Sequence, residues 1–210
     1  MADEQAVEAE ILKLARLLQR EPEQLAYLDQ VPLKDLRALR GHVTETLFTD
    51  HEAILRRLAA ASRLLPVALV ASLSENTFGA VLSARIAGLL DADRADQVGQ
   101  RLPTQFVADI AIELDPRRVS DVIARIPPDR IRDVTRELAR RKEYVTMGRF
   151  VGHLDDEALA AAINTLNDDE LLETFVVMED PPELDRLSRL TDPERIARLA
   201  TRPGSPIPAP

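Results

Sequence analysis

Between Leu102 and Leu138 one pattern is written three times with a period of twelve residues. Leu102, Leu114, Ile126 and Leu138 mark the period. Val107, Val119 and Ile131 align within it, as do Ile110, Val122 and Val134, and Asp109, Asp121 and Asp133. Proline stands near the start of every unit, in Leu102-Pro103, Leu114-Asp115-Pro116 and Ile126-Pro127-Pro128. A fixed short period constrains a chain strongly, because each unit must repeat one local structure and stack on its neighbours.

The spacing predicts a short helix per unit. Val107, Ile110, Ala111 and Leu114 stand at i, i+3, i+4 and i+7 and share one helical face, and Val119, Val122, Ile123 and Ile126 repeat the arrangement. Asp115 can cap with Pro116 in the first helical position, and Pro128 opens the helix of the next unit in the same way. A helix of roughly ten residues spans only about 15 Å and is marginal alone in water, so such helices must stack. The expected fold is therefore all-α, a superhelix (solenoid) of short helices with a period of about 12 residues, preceded by longer N-terminal helices.

Three regions follow. Residues 1–89 read as an N-terminal helical subdomain, 90–202 as the repeat, and 203–210 as a disordered proline-rich tail. The first helix is expected over 5–19 with Val7, Ile11, Leu14 and Leu18 buried. A turn follows Glu21-Pro22, and a helix after Val31-Pro32 carries Leu36, Leu39, Val43 and Leu47. Thr49 to Glu52 reads as a capping box. The next helix presents Ile54, Leu58, Ala61 and Leu65, and Pro66 breaks it. Residues 67–90, the least polar stretch, are expected to be the most deeply buried. The period begins with Leu90 and Asp91, slips at Arg141 to Tyr144, and returns at Leu154, Leu166 and Met178. Asn167 with Glu170 forms another capping arrangement.

Composition narrows the function classes. A net charge of −9 over 210 residues argues against general affinity for nucleic acid or anionic lipid. The chain has no cysteine, which excludes disulfides, zinc-thiolate sites and thiol nucleophiles. The acidic start Met-Ala-Asp-Glu-Gln is unlike a signal peptide, and the apolar run Leu64–Leu73 is far too short to span a bilayer. A soluble, cytoplasmic protein without membrane insertion is expected.

Few residues point to chemistry. His42, His51 and His153 each stand alone in their segments, and the glycines form no phosphate loop, so no enzyme is expected. From Val151 to Asp185 there are eleven Asp and Glu residues and no Lys or Arg. Asp155, Asp156 and Glu157, with Asp168, Asp169 and Glu170, sit at successive helix starts. The dipole stabilises carboxylates there, and a loose Mg²⁺ site shared between the ends is the sharper reading. Arg117 to Arg149 holds ten basic and five acidic residues, with Arg132, Arg136 and Arg140 in one stripe and Asp129, Asp133 and Glu137 beside it. That stripe is either a solvated face of i,i+3 pairs or a surface for another protein or a second copy.

The residues Leu102 to Ala111, Leu114-Asp115-Pro116 and Ile126-Pro127-Pro128 resemble the cytosolic N-terminal superhelix of MgtE-type magnesium transporters. They also resemble the related middle-domain repeats of FliG-type flagellar switch proteins. The likeness covers about residues 90–200. It implies a right-handed superhelix of short helices used for protein contact or sensing, and it is what favours Mg²⁺. Neither the CBS and membrane parts of the transporters nor the charged motor-contact domain of the switch proteins is found here, so transport and torque are not implied. The reading is a protein-binding module, with a Mg²⁺-responsive regulatory domain and an apolar-ligand carrier built on residues 67–90 as alternatives.

Overall fold

The computed structural model describes residues 2–18, 20–49, 52–178, 181–202, 205 and 207, the side chains of 2–5, 44–49, 52 and 181 excepted. Among these residues every regular element is helical and none is a strand. The capping box expected at Thr49–Glu52 includes Asp50 and His51, which lie outside the described residues.

Two long helices come first. α1 (Ala2–Leu17) and α2 (Leu33–Thr49) form a hairpin joined by a 3-10 segment, Pro22–Gln30. Among the described residues Ile11, Leu14, Ala15, Leu25 and Leu36 make its core, and none beyond Leu36 joins that apolar cluster. Leu18, expected on the buried face of α1, is instead 41% exposed, because α1 ends at Leu17.

The remaining elements are short. They are α3 (Glu52–Ser62), α4 (Val67–Leu73), α5 (Gly79–Ala87), α6 (Ala92–Gly99), α7 (Thr104–Glu113), α8 (Ser120–Ile123), α9 (Pro128–Arg140), α10 (Tyr144–Phe150), α11 (Asp156–Ile163), α12 (Asp168–Val176), α13 (Pro181–Leu190) and α14 (Pro193–Ala200). Between Leu102 and Leu138, α7 and α9 fall in the first and third units of the sequence pattern, while the second holds the 3-10 turn Pro116–Arg118 and the four-residue α8 in place of the expected helix of about ten residues. The expected caps are present. Asp115 accepts from Arg117 N, Pro128 opens α9, and Asn167 and Glu170 form a reciprocal capping box. The slip after Leu138 is a thirteen-residue α9 closed by Lys142 in the left-handed region (φ 61). Lys142 N donates to Ala139 O and Glu143 N to Leu138 O, the paired bonds of a Schellman ending.

Packing skips one helix at most steps, and α9 also packs on its neighbour α10. α3 packs on α5, α5 on α7, α7 on α9, α9 on α11 and α11 on α13; α4 packs on α6, α6 on α8, α10 on α12 and α12 on α14. This alternation starts at α3, ahead of Leu90 where the sequence pattern begins. Gly148 lets α10 approach α12, since a Cβ there would meet Val177 Cγ2 at 3.0 Å.

The core differs from the sequence expectation in place. The largest apolar cluster lies between Ala108 and Ile207, with Leu159, Ile163, Leu171, Phe175, Leu187 and Leu199 almost fully buried. Ile207 joins it, within the tail that composition marks as disordered. Residues 67–90 are not the most deeply buried, for Leu69 is 45% exposed and Val81 is also exposed. In α3 the buried face is Leu55, Ala59 and Ser62, one step round from the predicted Ile54, Ala61 and Leu65, and Ile54 is 59% exposed. In α4 apolar residues stand on every side, so periodicity fixes its face weakly, and in α3 Ala53, Ala60 and Ala61 extend the apolar surface beyond the buried face of Leu55 and Ala59.

The helical run Val67–Ala87 is 21 residues and, by length and composition, apolar enough to cross a membrane. A π-helical turn, Ser74–Phe78, and Gly79 at φ 71 and ψ 177 interrupt it. Its two halves pack on different neighbours, α4 on α6 and α5 on α3 and α7.

Candidate functional site

Helix starts carry the contacts that hold alternate helices together. Arg94, Arg130 and Arg195 stand third in α6, α9 and α14, and Arg186 lies within α13. Each reaches the turn that precedes the helix two places earlier. Arg195 donates to Ile163 O at 3.0 Å and Leu166 O at 2.6 Å, and its Nε to Asp168 Oδ1 at 2.7 Å. Arg186 donates to Val151 O at 3.3 Å, Leu154 O at 2.7 Å and Asp156 Oδ1 at 2.7 Å. Arg130 reaches Gly99 O, Leu102 O and Thr104 Oγ1, and Arg94 reaches Ser62 O and Leu65 O. The acceptors are carbonyls at the ends of the helices and in the turns that follow them, and Ser62 O, Gly99 O and Ile163 O also accept a turn N–H, from Leu65, Leu102 and Leu166.

This arrangement accounts for the acidic segment. Asp155 caps Ala158 N at 2.7 Å, and Glu170 accepts from Asn167 N at 2.8 Å. Asp156 pairs with Arg186, Asp168 with Arg195 and Arg198, and Asp169 with Arg202. The Arg195 hydrogen bond holds the Asp168 carboxyl below its usual value. Glu157 is exposed at the start of α11. The cations absent from 151–185 in sequence are supplied from positions 186–202. Among the described residues no three His, Asp or Glu side chains converge as a metal site requires.

Arg132, Arg136 and Arg140 form the expected exposed stripe, paired with Asp129 at 2.9 Å, Asp133 at 3.1 Å and Glu137 at 2.7 Å. Hydrogen bonds from Arg140 and Arg141 lower the Glu137 carboxyl to about 2. Asp109, Asp121 and Asp133 do not meet. Asp109 pairs with Arg141, Asp133 pairs with Arg136, and Asp121 is exposed.

Sequence reasoning missed a cationic cleft. A cavity of about 360 Å³ opens beside the hairpin, where α8 is only four residues long and is preceded by the 3-10 turn Pro116–Arg118. Lys13 and Arg16 of α1 and Arg40 of α2 face it from the hairpin. Arg85 of α5, Arg117 and Arg118 of the turn, and Arg149 of α10 face it from the opposite side. Val81, Ala84, Ile112, Val145 and Val177 supply apolar wall.

Carboxylates meet some of this charge. Glu10, fully buried, accepts from Lys13 Nζ and Arg40 Nε, both at 2.9 Å. Lys13 Nζ also donates to Val177 O at 3.0 Å. Arg16 pairs with Glu143 at 2.6 Å and donates to Thr146 Oγ1 at 3.0 Å. Asp115 takes a two-pronged contact from Arg117, with Nε and Nη2 each at 2.9 Å. Burial alone would raise the Asp115 carboxyl, but the Arg117 contacts and the nearby Arg149 charge bring it below its usual value. Arg149 donates to Leu114 O at 2.6 Å. Burial pushes its guanidinium below the usual value; Asp115 opposes this, while Arg40, Arg16 and Arg117 add to it. Among the described residues Arg85 has no hydrogen-bond or ion-pair partner. Seven cationic side chains line the cleft, and among the described residues the carboxylates of Glu10, Glu113, Asp115, Glu143 and Glu183 stand on or beside it.

His153 lines the same cleft, with Nδ1 2.5 Å from Ser120 Oγ. Burial lowers its pKa, opposed by Asp115 and reinforced by Arg117 and Arg149. No sequence window could reveal this cleft, because its cations are spread from position 13 to 149. Only Asp115-Pro116-Arg117-Arg118 is a compact signal.

No family model matches the chain, and neither a curated protein nor a solved structure matches it.

The depressed folded pKa of His153 sets the sign of a pH effect. Stability gained by keeping the ring neutral is complete above the unfolded value of about 6.5 and is lost as pH falls through the lower folded value. The melting temperature should therefore fall more between pH 7.5 and 5 in wild type than in His153→Gln. Equal falls in thermal melts would show that the ring carries no such linkage.

Proposed function

We propose that the chain is a non-enzymatic, cytoplasmic interaction module, a superhelix of short helices with a period of about 12 residues. It recognises an anionic group of its partner protein in the cationic cleft. Its resemblance to the MgtE-type N-terminal superhelix and the FliG-type repeats supports use as a contact or sensing unit. The observation that carries the reading is the convergence of seven cationic side chains from five elements on one cavity, in a chain of net charge −9. An acidic exterior repels polyanions at long range, while a recessed cationic site admits one anionic group of the right size. Work in water rather than in a bilayer agrees with Glu75 and Arg85 inside the apolar run and with its break at Gly79.

The test compares chloride with sulfate at equal ionic strength. Sulfate strengthens burial in any protein, so the informative quantity is the difference between variants. The melting temperature of wild type should rise more than that of Arg85→Glu, and equal rises would contradict an anion site in the cleft.

A second reading, an apolar-ligand carrier, is favoured by a void of about 220 Å³ between the two helix rows. Apolar side chains from Leu58 to Leu187 line it, including Val70, Phe78, Ile86 and Leu90 from the segment that the sequence suggests for this role. The carrier reading requires a stoichiometric apolar molecule in an organic extract of the purified protein, seen by mass spectrometry. Under the interaction-module reading the extract is empty.

A further inference from the structure

A serine or threonine inside a helix can donate back to a carbonyl about one turn earlier, which satisfies its hydroxyl within the helix. On the void between the two helix rows, Ser62 Oγ donates to Ala59 O at 2.7 Å and Thr174 Oγ1 to Glu170 O at 2.8 Å. Ser83 Oγ finds Ser74 O at 3.4 Å. Thr135 and Ser74 line the same void and are each only 8% exposed. Among the described residues their hydroxyls have no hydrogen-bond partner. Local structure turns both inward. Thr135 shares the buried face of α9 with Ile131, Leu138 and Ala139. Ser74 opens the π-helical turn directly after the buried Val70 and Ala71 of α4. A buried hydroxyl without a partner is unfavourable, and its presence asks what else could meet it.

Resting on the void that favours the second reading above, we infer that it takes a small neutral organic molecule, mainly hydrocarbon, whose carbonyl or hydroxyl oxygen is met by Thr135 and Ser74. Three features select this class. An apolar cavity of about 150 Å³ holds benzene, so one of about 220 Å³ has room for roughly nine non-hydrogen atoms. The rest of the wall near these hydroxyls, including Val70, Phe78, Ile131 and Leu138, is apolar and suits a hydrocarbon body. Hydroxyl groups both donate and accept, so a ketone or an alcohol fits them equally. A carboxylate does not fit. Arg130, the charged side chain on this wall, commits both terminal nitrogens to Gly99 O, Leu102 O and Thr104 Oγ1, and an ionised group buried without its own cation is strongly disfavoured.

The full chain should be titrated by NMR with acetophenone and cyclooctanone, with isopropylbenzene as a hydrocarbon of the same size. Both ketones are expected to bind and to shift amide signals in α4 and α9. The double variant Thr135→Val with Ser74→Ala removes both hydroxyls at little change of shape. It should weaken the ketones about five- to tenfold relative to isopropylbenzene, whose binding holds or tightens. Without ligand it should melt at or above the wild-type temperature, because neither hydroxyl makes a bond in the fold. A lower melting temperature would show that the hydroxyls already serve the fold, and overturns the inference. An unchanged ratio of ketone to hydrocarbon binding overturns the role of the two hydroxyls while leaving an apolar site in place. Binding of isopropylbenzene alone does the same. Binding of none of the three removes the second reading as well and leaves the hydroxyls to water. Benzoate that displaces acetophenone with equal affinity overturns the neutral class. A resident molecule in the organic extract decides likewise: a neutral oxygenated compound supports the inference, whereas an oxygen-free hydrocarbon keeps the carrier reading and overturns the class.

Discussion

A short helix ends in carbonyls that its own backbone cannot satisfy, and an array of short helices multiplies such ends. Here an arginine near the start of a later helix closes the end of an earlier one. It reaches across the stack to the turn before the helix two places back, as Arg195 does to Ile163 O and Leu166 O. A guanidinium suits the task because its donors form a fixed fork, and bonds from a charged donor contribute about 1.5–3 kcal/mol. The carboxylates at the first helical positions, Asp156 and Asp168, complete each contact. The alternate packing of helices therefore has a polar skeleton beside its apolar one.

That skeleton consumes most of the charge on the array. Arg186, Arg195 and Arg202 meet the carboxylates of α11 and α12, and Arg132, Arg136 and Arg140 meet those of α9. The apparent segregation into a basic stretch and an acidic one is largely cancelled in three dimensions. The cleft is different. There the hairpin adds Lys13, Arg16 and Arg40 to a wall that already holds Arg85, Arg117, Arg118 and Arg149. Like charges brought together in a recess repel one another, which is the usual physical mark of a site prepared for an opposite charge.

The helical class and the caps at Asp115, Pro128 and Asn167 were legible because each rests on local spacing. The faces of α3 and α4 were not, since Ile54, Leu64 and Leu69 occur in or beside helices with apolar residues on every side. The clamps left a trace that the hydrophobic period obscures. Asp91-Ala-Asp-Arg94, Pro127-Pro-Asp-Arg130 and Asp192-Pro-Glu-Arg195 place an acid and an arginine at the same two helical positions. The cleft left almost none, because hairpin and array meet there across long separations, 130 residues between Arg16 and Thr146. A run of carboxylates without neighbouring cations looked like a metal site for the same reason, its partners lying 27–33 residues downstream.

The claim that guanidinium forks, and not charge alone, hold the stack is tested most directly by Arg195→Lys. Lysine keeps the charge beside Asp168 but cannot span Ile163 O and Leu166 O together. Ile163 O also accepts from Leu166 N at 3.3 Å, whereas buried Leu166 offers its carbonyl to Arg195 alone among the described residues, and orphaning that carbonyl costs about 1–3 kcal/mol. Denaturant unfolding should show a loss of that size for Arg195→Lys, with Arg195→Met no more than modestly worse. A lysine variant as stable as wild type would contradict the account.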